Sequence, residues 1–376
     1  MSPVPTRSAP AIQAPVNLAL QGGGSHGAFT WGVLDALLED GRISFEGISG
    51  TSAGAMNAVA MAHGFAQAQA KAKPDPREAA REALKSFWDG IVRMGALGNA
   101  LTAAERAPFS LLFGPCGSEY SPAASWMNAM STFWSSTLSP YQSNPLDINP
   151  LRHFVAGQID FDALAHASQA GTAPKVFVVA TEVRSGKAEV FSGKRLTLDA
   201  VMASACLPTL FRAVEIDGLH YWDGGYCGNP AIHPLIYQCQ GRDIVLVQIN
   251  PIRRDELPTH SAQIMDRINE VTFNAGLVAE MRAIDFVKRL LAEGKLDPAH
   301  YKDVLMHRID GGAELDAFGA SSKTSTDATL IQGLHGLGRS HAKAWLAQHS
   351  EDLGQRSSIN IKRDYLDDLR MPVHGD

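Results

Sequence analysis

The sequence predicts an α/β fold layered around a mostly parallel sheet. Two observations carry this. Strand, loop, helix, strand, turn and helix follow one another between Val16 and His63, and apolar runs of strand length return after Lys175. With 376 residues, 45% of them hydrophobic, the chain can also bury one large core.

Val16–Leu20 ("VNLAL") is the first strand, followed by the glycine loop "QGGGSHG". Ala28–Glu39 shows helical periodicity, with Phe29, Val33, Ala36 and Leu37 on one face. Arg42–Ser49 reads as a second strand and Ser52–His63 as a closely packed helix of small residues. The alternation then breaks from Gly64 to Asn149, where a polar helical piece (Pro76–Met94) precedes an irregular apolar stretch. So long a departure reads as an insertion on the core.

Strand signals resume at Lys175–Val183, Ala188–Phe191 and Val214–Trp222, the last folded around the turn Asp217-Gly218, with a helix at Leu196–Ala205. Asp243–Asn250 is a buried-type strand. Ser261–Leu291 is a long helix, with Ile264, Ile268, Val271, Ala275 and Val278 at spacings of four and three. Val304–Ile309 and Leu334–His349 supply a last strand and a last helix, and the tail beyond is polar.

A net charge of -6 argues against nucleic-acid binding, which needs a basic excess, and against simple electrostatic attraction to an anionic membrane. Hydrophobic contact with a membrane remains open. Cys116, Cys206, Cys227 and Cys239 form no C-x-x-C pair and read as reduced structural thiols. Residues 1–15 are Pro- and Ala-rich and read as a flexible tail without a signal-peptide core. No apolar run approaches the ~18 residues of a membrane span. Cytoplasmic location is the default expectation, with peripheral membrane contact and signal-less export both compatible.

Gly22, Gly24 and Gly27 fit G-x-G-x-x-G between a strand and a helix, a dinucleotide-binding fingerprint, and Glu46 stands where the ribose-binding acid would be. The next motif competes with that reading. Gly50-Thr51-Ser52-Ala53-Gly54 is G-x-S-x-G, also between strand and helix, the context of a nucleophile elbow. Ser52 would then stand at a helix N-terminus, where developing negative charge is favoured. If the first two strands are parallel neighbours, the N–H groups of Gly22, Gly23 and Gly24 emerge at the same sheet edge, as oxyanion donors. A simple cap role for Ser52 is the bland alternative.

Ser52 needs a base. Thirteen histidines offer candidates, among them His26, His220 and His233. The stronger one is Asp223, which ends a strand before Gly224-Gly225, although D-G-G by itself is an ordinary turn former.

"GGGSHG", "GTSAG" and "DGG", in this order, resemble the patatin-like phospholipases, and "MASACLPTLFRAVEIDGLHYWDGGYCGNP" is similar to that family's block leading to its aspartate. The resemblance runs from Val16 to about Pro251. It implies a three-layer α/β/α fold and a Ser52–Asp223 dyad without histidine. It also implies an oxyanion loop of Gly22, Gly23 and Gly24, supported by Gly50, Gly54, Gly224 and Gly225. His26 departs from it, standing where the family usually has Lys or Arg.

The expected chemistry is acyl transfer from an acyl-lipid ester, with no cofactor or metal, at a membrane or micelle surface. A soluble esterase or thioesterase, and a nucleotide-binding regulatory protein, are the alternatives. Residues 16–310 are expected to form the hydrolase domain and 311–376 a C-terminal extension. Within the 64–149 insertion, Pro108–Leu146 holds Phe109, Leu111, Leu112, Phe113, Trp126, Met127, Met130, Phe133, Trp134 and Tyr141, as acyl pocket, lid or plain packing.

Overall fold

The computed structural model describes residues 15–70, 75–113, 139–144, 147–318, 322–323 and 325–366. Val16–Leu20 (β1) is buried at every position: its four apolar residues favour this, and the Asn17 amide donates to the Gly241 carbonyl at 3.0 Å. It pairs in parallel with Phe45–Gly50 (β2) on one edge and Asp243–Gln248 (β7) on the other. Lys175–Glu182 (β3) continues the parallel set beyond β2, and Leu305–Asp310 (β8) continues it beyond β7. Ala188–Ser192 (β4) and Leu219–Asp223 (β6) both pair antiparallel with β3, and Val214–Ile216 (β5) pairs antiparallel with β6.

The register on β3 positions the site. Val178 pairs with Gly50 of β2 and also with Phe191 of β4; Ala180 pairs with Asp223 of β6 and also with Glu189 of β4. Since β4 fills one edge of β3 across both positions, β2 and β6 must share the other edge, end to end. Gly50 and Asp223 therefore face positions two residues apart on one strand, about 7 Å along it.

Alternate residues of the sheet enter two separate cores, as strand geometry demands. Leu18, Leu20, Ile48, Val178, Val245 and Val247 pack with helices on one face. These are Gly27–Asp40 (α1), Ala53–Ala70 (α2), Pro76–Phe113 (α3) and Ala328–His349 (α7). On the other face Ala19, Phe177, Ile244 and Leu246 meet Leu235 of His233–Gln238 (α5) and Leu277 and Met281 of Ser261–Ala292 (α6). Leu198–Ser204 (α4) packs its Ala200 and Ala203 beside the antiparallel strands. The result is a three-layer α/β/α architecture.

Two helices differ from their sequence pattern. α1 is buried all round from Gly27 to Leu38, not on one face. Its outer side is covered as well: Trp31 stacks on Trp88 of α3, with ring centroids 6.2 Å apart, and Gly32 lies against the backbone of His335 in α7. Asp35, on that covered side, accepts hydrogen bonds from Arg81 (2.6 Å) and from Arg339. In α6 the spaced apolar residues Ile264, Ile268 and Val271 face outward, each 42–53% exposed. The inward side of that half carries Glu270, bound to Arg254, and Asn274, bound to Gln21, so these polar contacts set the rotation of the helix. Leu277, Met281 and Ile284 return the apolar side inward further along.

Helix α3 continues to Phe113, beyond the expected end at Met94. Residues 1–14, 114–138, 145–146 and 367–376 lie outside the described residues, and with them Cys116, Trp126, Met127, Met130, Phe133 and Trp134 of the expected pocket or lid. Tyr141 is exposed and carries the Arg212 guanidinium over its ring at 5.2 Å.

Candidate active site

The elbow forms where β2 ends at Gly50 and α2 begins at Ala53. Ser52, between them, has φ of +53°, a left-handed conformation that costs a non-glycine residue of order 1 kcal/mol or more. Gly54 makes the turn feasible: a Cβ there would lie 2.2 Å from the Leu20 carbonyl oxygen at the end of β1. Side chains distant in sequence hold the strained turn. The Ser52 N–H donates to Ser204 Oγ of α4 at 2.9 Å, and Thr51 Oγ1 donates to the Gly228 carbonyl at 2.6 Å.

Asp223 closes β6 and is fully buried. Its N–H donates to the Cys206 carbonyl (2.7 Å), and its own carbonyl accepts from Thr181 Oγ1 (2.8 Å), so the backbone is fixed on both sides. Oδ1 accepts the Gly225 N–H at 2.7 Å. Oδ2 is buried and has no partner with hydrogen-bond geometry among the described residues. Burial pushes the carboxyl up to about 7, against the opposing pull of the Gly225 N–H and of the nearby Ser52 hydroxyl. The hydroxyl thus lies close enough to be felt by the carboxylate without completing a bond to Oδ2.

The glycine loop lies against the elbow; a Cβ on Gly22 would come within 2.8 Å of Ser52 Cβ. One expectation is corrected here. The Gly22 N–H is engaged by Asn229 Oδ1 at 2.6 Å, so it does not point to an incoming oxygen. The N–H groups of Gly23 and Gly24 make no hydrogen bond among the described residues.

Sequence reasoning missed the clamp around this loop. Gln21 is fully buried; its Oε1 accepts from the N–H groups of Ile249 and Asn250, both at 2.9 Å. Its Nε2 donates to the Asn229 carbonyl and to Asn274 Oδ1, both at 3.1 Å. Asn250 Nδ2 donates to the Gly22 carbonyl at 2.7 Å. A glutamine directly after a short, mostly apolar strand was the available signal.

The sequence profile of the patatin-like phospholipases matches residues 18–236, more than half of the chain. The chain belongs to the patatin-like phospholipase family. No curated protein matches it. Among solved structures it is similar to VipD from Legionella pneumophila, at 14% identity and a TM-score of 0.35, over 98% of this chain and 82% of that one. It is also similar to human GIVD cytosolic phospholipase A2 in complex with methyl gamma-linolenyl fluorophosphonate. That match has 12% identity and a TM-score of 0.42, over 90% of this chain and 58% of that one. Membership makes this patatin-like protein a hydrolase of acyl lipids in the general sense of the family. Among its described residues no helix is long and apolar enough to cross a membrane.

Other candidates fall elsewhere in this patatin-like fold. Glu46 lies near the start of β2, four residues and about 13 Å from Gly50, and accepts the N–H groups of Gln240 and Gly241 at 2.8 Å. It stands at the sheet edge opposite the glycine loop, so the two cannot grip one dinucleotide as the fingerprint requires. His233 pairs with Glu280 at 3.0 Å, and His220 lies 3.8 Å from Glu215. His26 is buried, with Nε2 2.6 Å from Ser322 Oγ. Burial, helped by the positive Lys323, pushes it down to about 4, so it is neutral at physiological pH. Burial also raises the Cys206 thiol to about 12 and that of Cys239 to about 11, which suits structural thiols.

Proposed function

We propose that the chain is a serine lipid acyl hydrolase in which Ser52 is the nucleophile, Asp223 the base, and the Gly23 and Gly24 N–H groups the oxyanion donors. The reading rests on one observation above all. The end-to-end arrangement of β2 and β6 brings a strained serine close to a buried carboxylate whose Oδ2 has no hydrogen-bond partner among the described residues and which burial raises to about 7. A carboxyl raised towards neutrality is a stronger base than an ordinary aspartate, which favours proton transfer from a hydroxyl.

In the first step Asp223 Oδ2 takes the hydroxyl proton as Ser52 Oγ attacks the ester carbonyl. The carbonyl electron pair moves to oxygen, facing the Gly23 and Gly24 N–H groups. Collapse of the tetrahedral intermediate breaks the ester bond, and the departing alkoxide takes the proton from Asp223. Water then gives a proton to Asp223 and attacks the acyl-serine; the acid leaves, and Ser52 regains its proton. Each lost oxyanion donor would cost about 10²–10³ in kcat.

The substrate class is a phospholipid or another acyl lipid presented at a membrane or micelle surface. Labelling by a fluorophosphonate, read by intact mass, tests the chemistry: one adduct on the wild type, none on Ser52→Ala. Absence of an adduct on the wild type overturns it. Turnover of phosphatidylcholine micelles against a soluble butyrate ester tests the substrate class. A preference for the monomeric ester at all concentrations would remove lipid as the substrate.

A further inference from the structure

We infer that Lys323, from the segment between Asp316 and α7, is a positioning residue for the oxyanion loop: through Asn250 it fixes the Gly22 peptide and so aims the Gly23 N–H. The inference rests on the serine-hydrolase reading above and deepens it.

The contacts form a relay. Lys323 Nζ donates to Asn250 Oδ1 at 3.0 Å, and Asn250 Nδ2 donates to the Gly22 carbonyl at 2.7 Å. Because the Gly22–Gly23 peptide is planar and trans, the Gly22 carbonyl and the Gly23 N–H point in opposite directions. Holding the carbonyl toward Asn250 therefore turns the N–H to the other side of the loop. A cation on the amide oxygen draws electrons from the amide nitrogen, which makes Nδ2 a stronger donor to Gly22. The second face of the same loop is fixed by the Lys323 backbone. A Cβ on Gly24, whose φ is +58°, would lie 2.1 Å from the Lys323 carbonyl oxygen, so strap and loop are in close contact.

This relay accounts for the departure at His26. The position that carries Lys or Arg in the resemblance holds a buried, neutral imidazole, 2.6 Å from the neighbouring Ser322. The positive charge beside the loop comes instead from residue 323, far beyond the matched residues 18–236. Glu270 is the acid whose charge acts most strongly on Lys323, and it is itself bound by Arg254 at 2.6 Å and Arg267 at 3.2 Å, so it is shared among three cations. Asp266 and Asp316 are the other acids whose charge reaches Lys323, and Arg254 opposes them.

Lys323→Met removes the charge and keeps the aliphatic stem; Lys323→Arg restores a charge. Hydrolysis of a soluble p-nitrophenyl ester is measured per active site titrated with fluorophosphonate, so unfolded enzyme does not count. We expect Lys323→Met to lower kcat about tenfold, short of the ~10²–10³ for a missing donor. KM should stay within twofold, affinity for an alkyl boronic acid should fall by the factor lost in kcat, and Lys323→Arg should recover most of both. A per-site kcat within twofold of wild type, or a change confined to KM, overturns the inference.

Ser52→Ala run in parallel separates the two readings. Turnover surviving in Ser52→Ala overturns the serine mechanism and leaves Lys323 to be judged by spectra of ¹⁵N-glycine-labelled protein. There the Gly23 amide resonance should move in Lys323→Met and return in Lys323→Arg; an unmoved resonance overturns the positioning role.

Discussion

Asn229 Oδ1 accepts the Gly22 N–H at 2.6 Å, and this single contact changes which glycines can serve an oxyanion. Both groups are buried, so removing the acceptor leaves an N–H without water or partner. Asn229→Ala should destabilise the fold by about 1–3 kcal/mol. It should also lower per-site kcat, because the loop loses one of its two amide clamps. Urea unfolding and active-site-titrated kinetics check the two effects separately. A variant as stable as the wild type would mean the loop relaxes to find another acceptor.

The Asp223 carboxyl, raised to about 7 by burial, makes two pH predictions. The base must be ionised to act, so kcat/KM should rise through pH 6 to 7 and level off above about 8. A profile already flat at pH 5.5 would remove Asp223 as the base.

Stability moves the other way. Unfolded, the same carboxyl titrates near 3.9, so below pH ~4 both states hold the proton and nothing is lost. Between there and pH 7 only the unfolded chain releases it, which disfavours the fold by roughly 1.4 kcal/mol for each pH unit. Above pH 7 the loss is complete. Asp223→Asn is free of this cost, so its melting temperature should exceed that of wild type by an amount that grows from pH 5 to pH 7. Equal melting temperatures at pH 5 and 8 would contradict the burial.

Gly54→Ala forces a methyl to within 2.2 Å of the Leu20 carbonyl, and both are held by backbone. It should cost about 3 kcal/mol, at the upper end of overpacking. Gly157→Ala, in a helix with nothing within 4 Å of the added methyl, should instead gain about 0.5–1 kcal/mol. Thermal unfolding of the pair compares them directly.

Restoring the family's cation by His26→Arg should weaken the protein. The site is buried and already faces the positive Lys323, so an added unpaired charge should cost about 3 kcal/mol and bring no gain in kcat. A stable, faster His26→Arg enzyme would show that the loop lacks a cation after all.

The glycine loop and the elbow were legible because each is local: an apolar strand, a run of small residues and a helix start within about a dozen positions. The parallel pairing of β1 with β2 follows from that grammar. The nearness of Ser52 and Asp223 was anticipated only through a family resemblance, because it depends on β6 taking the part of the β3 edge that β2 leaves vacant. Nothing local in either strand encodes that pairing. The clamp of Gln21, Asn229 and Asn250 was illegible for a similar reason: ordinary amides become decisive only when distant loops bring them together. The outward stripe of α6 shows the limit of periodicity, since Glu270 and Asn274 on its other side make the stronger demand.

The family match ends at residue 236, but the sheet does not. β7, which covers the second edge of β1, and α7, which roofs α1, both come later in the chain. A fragment trimmed to the recognisable motif would expose β1, with its four apolar residues and Asn17, as an open hydrogen-bonding edge, a template for self-association. Its insolubility would say nothing about the chemistry. The chain stays tied to this sheet as far as Tyr365, whose hydroxyl donates to Gln248 at the end of β7 at 2.7 Å.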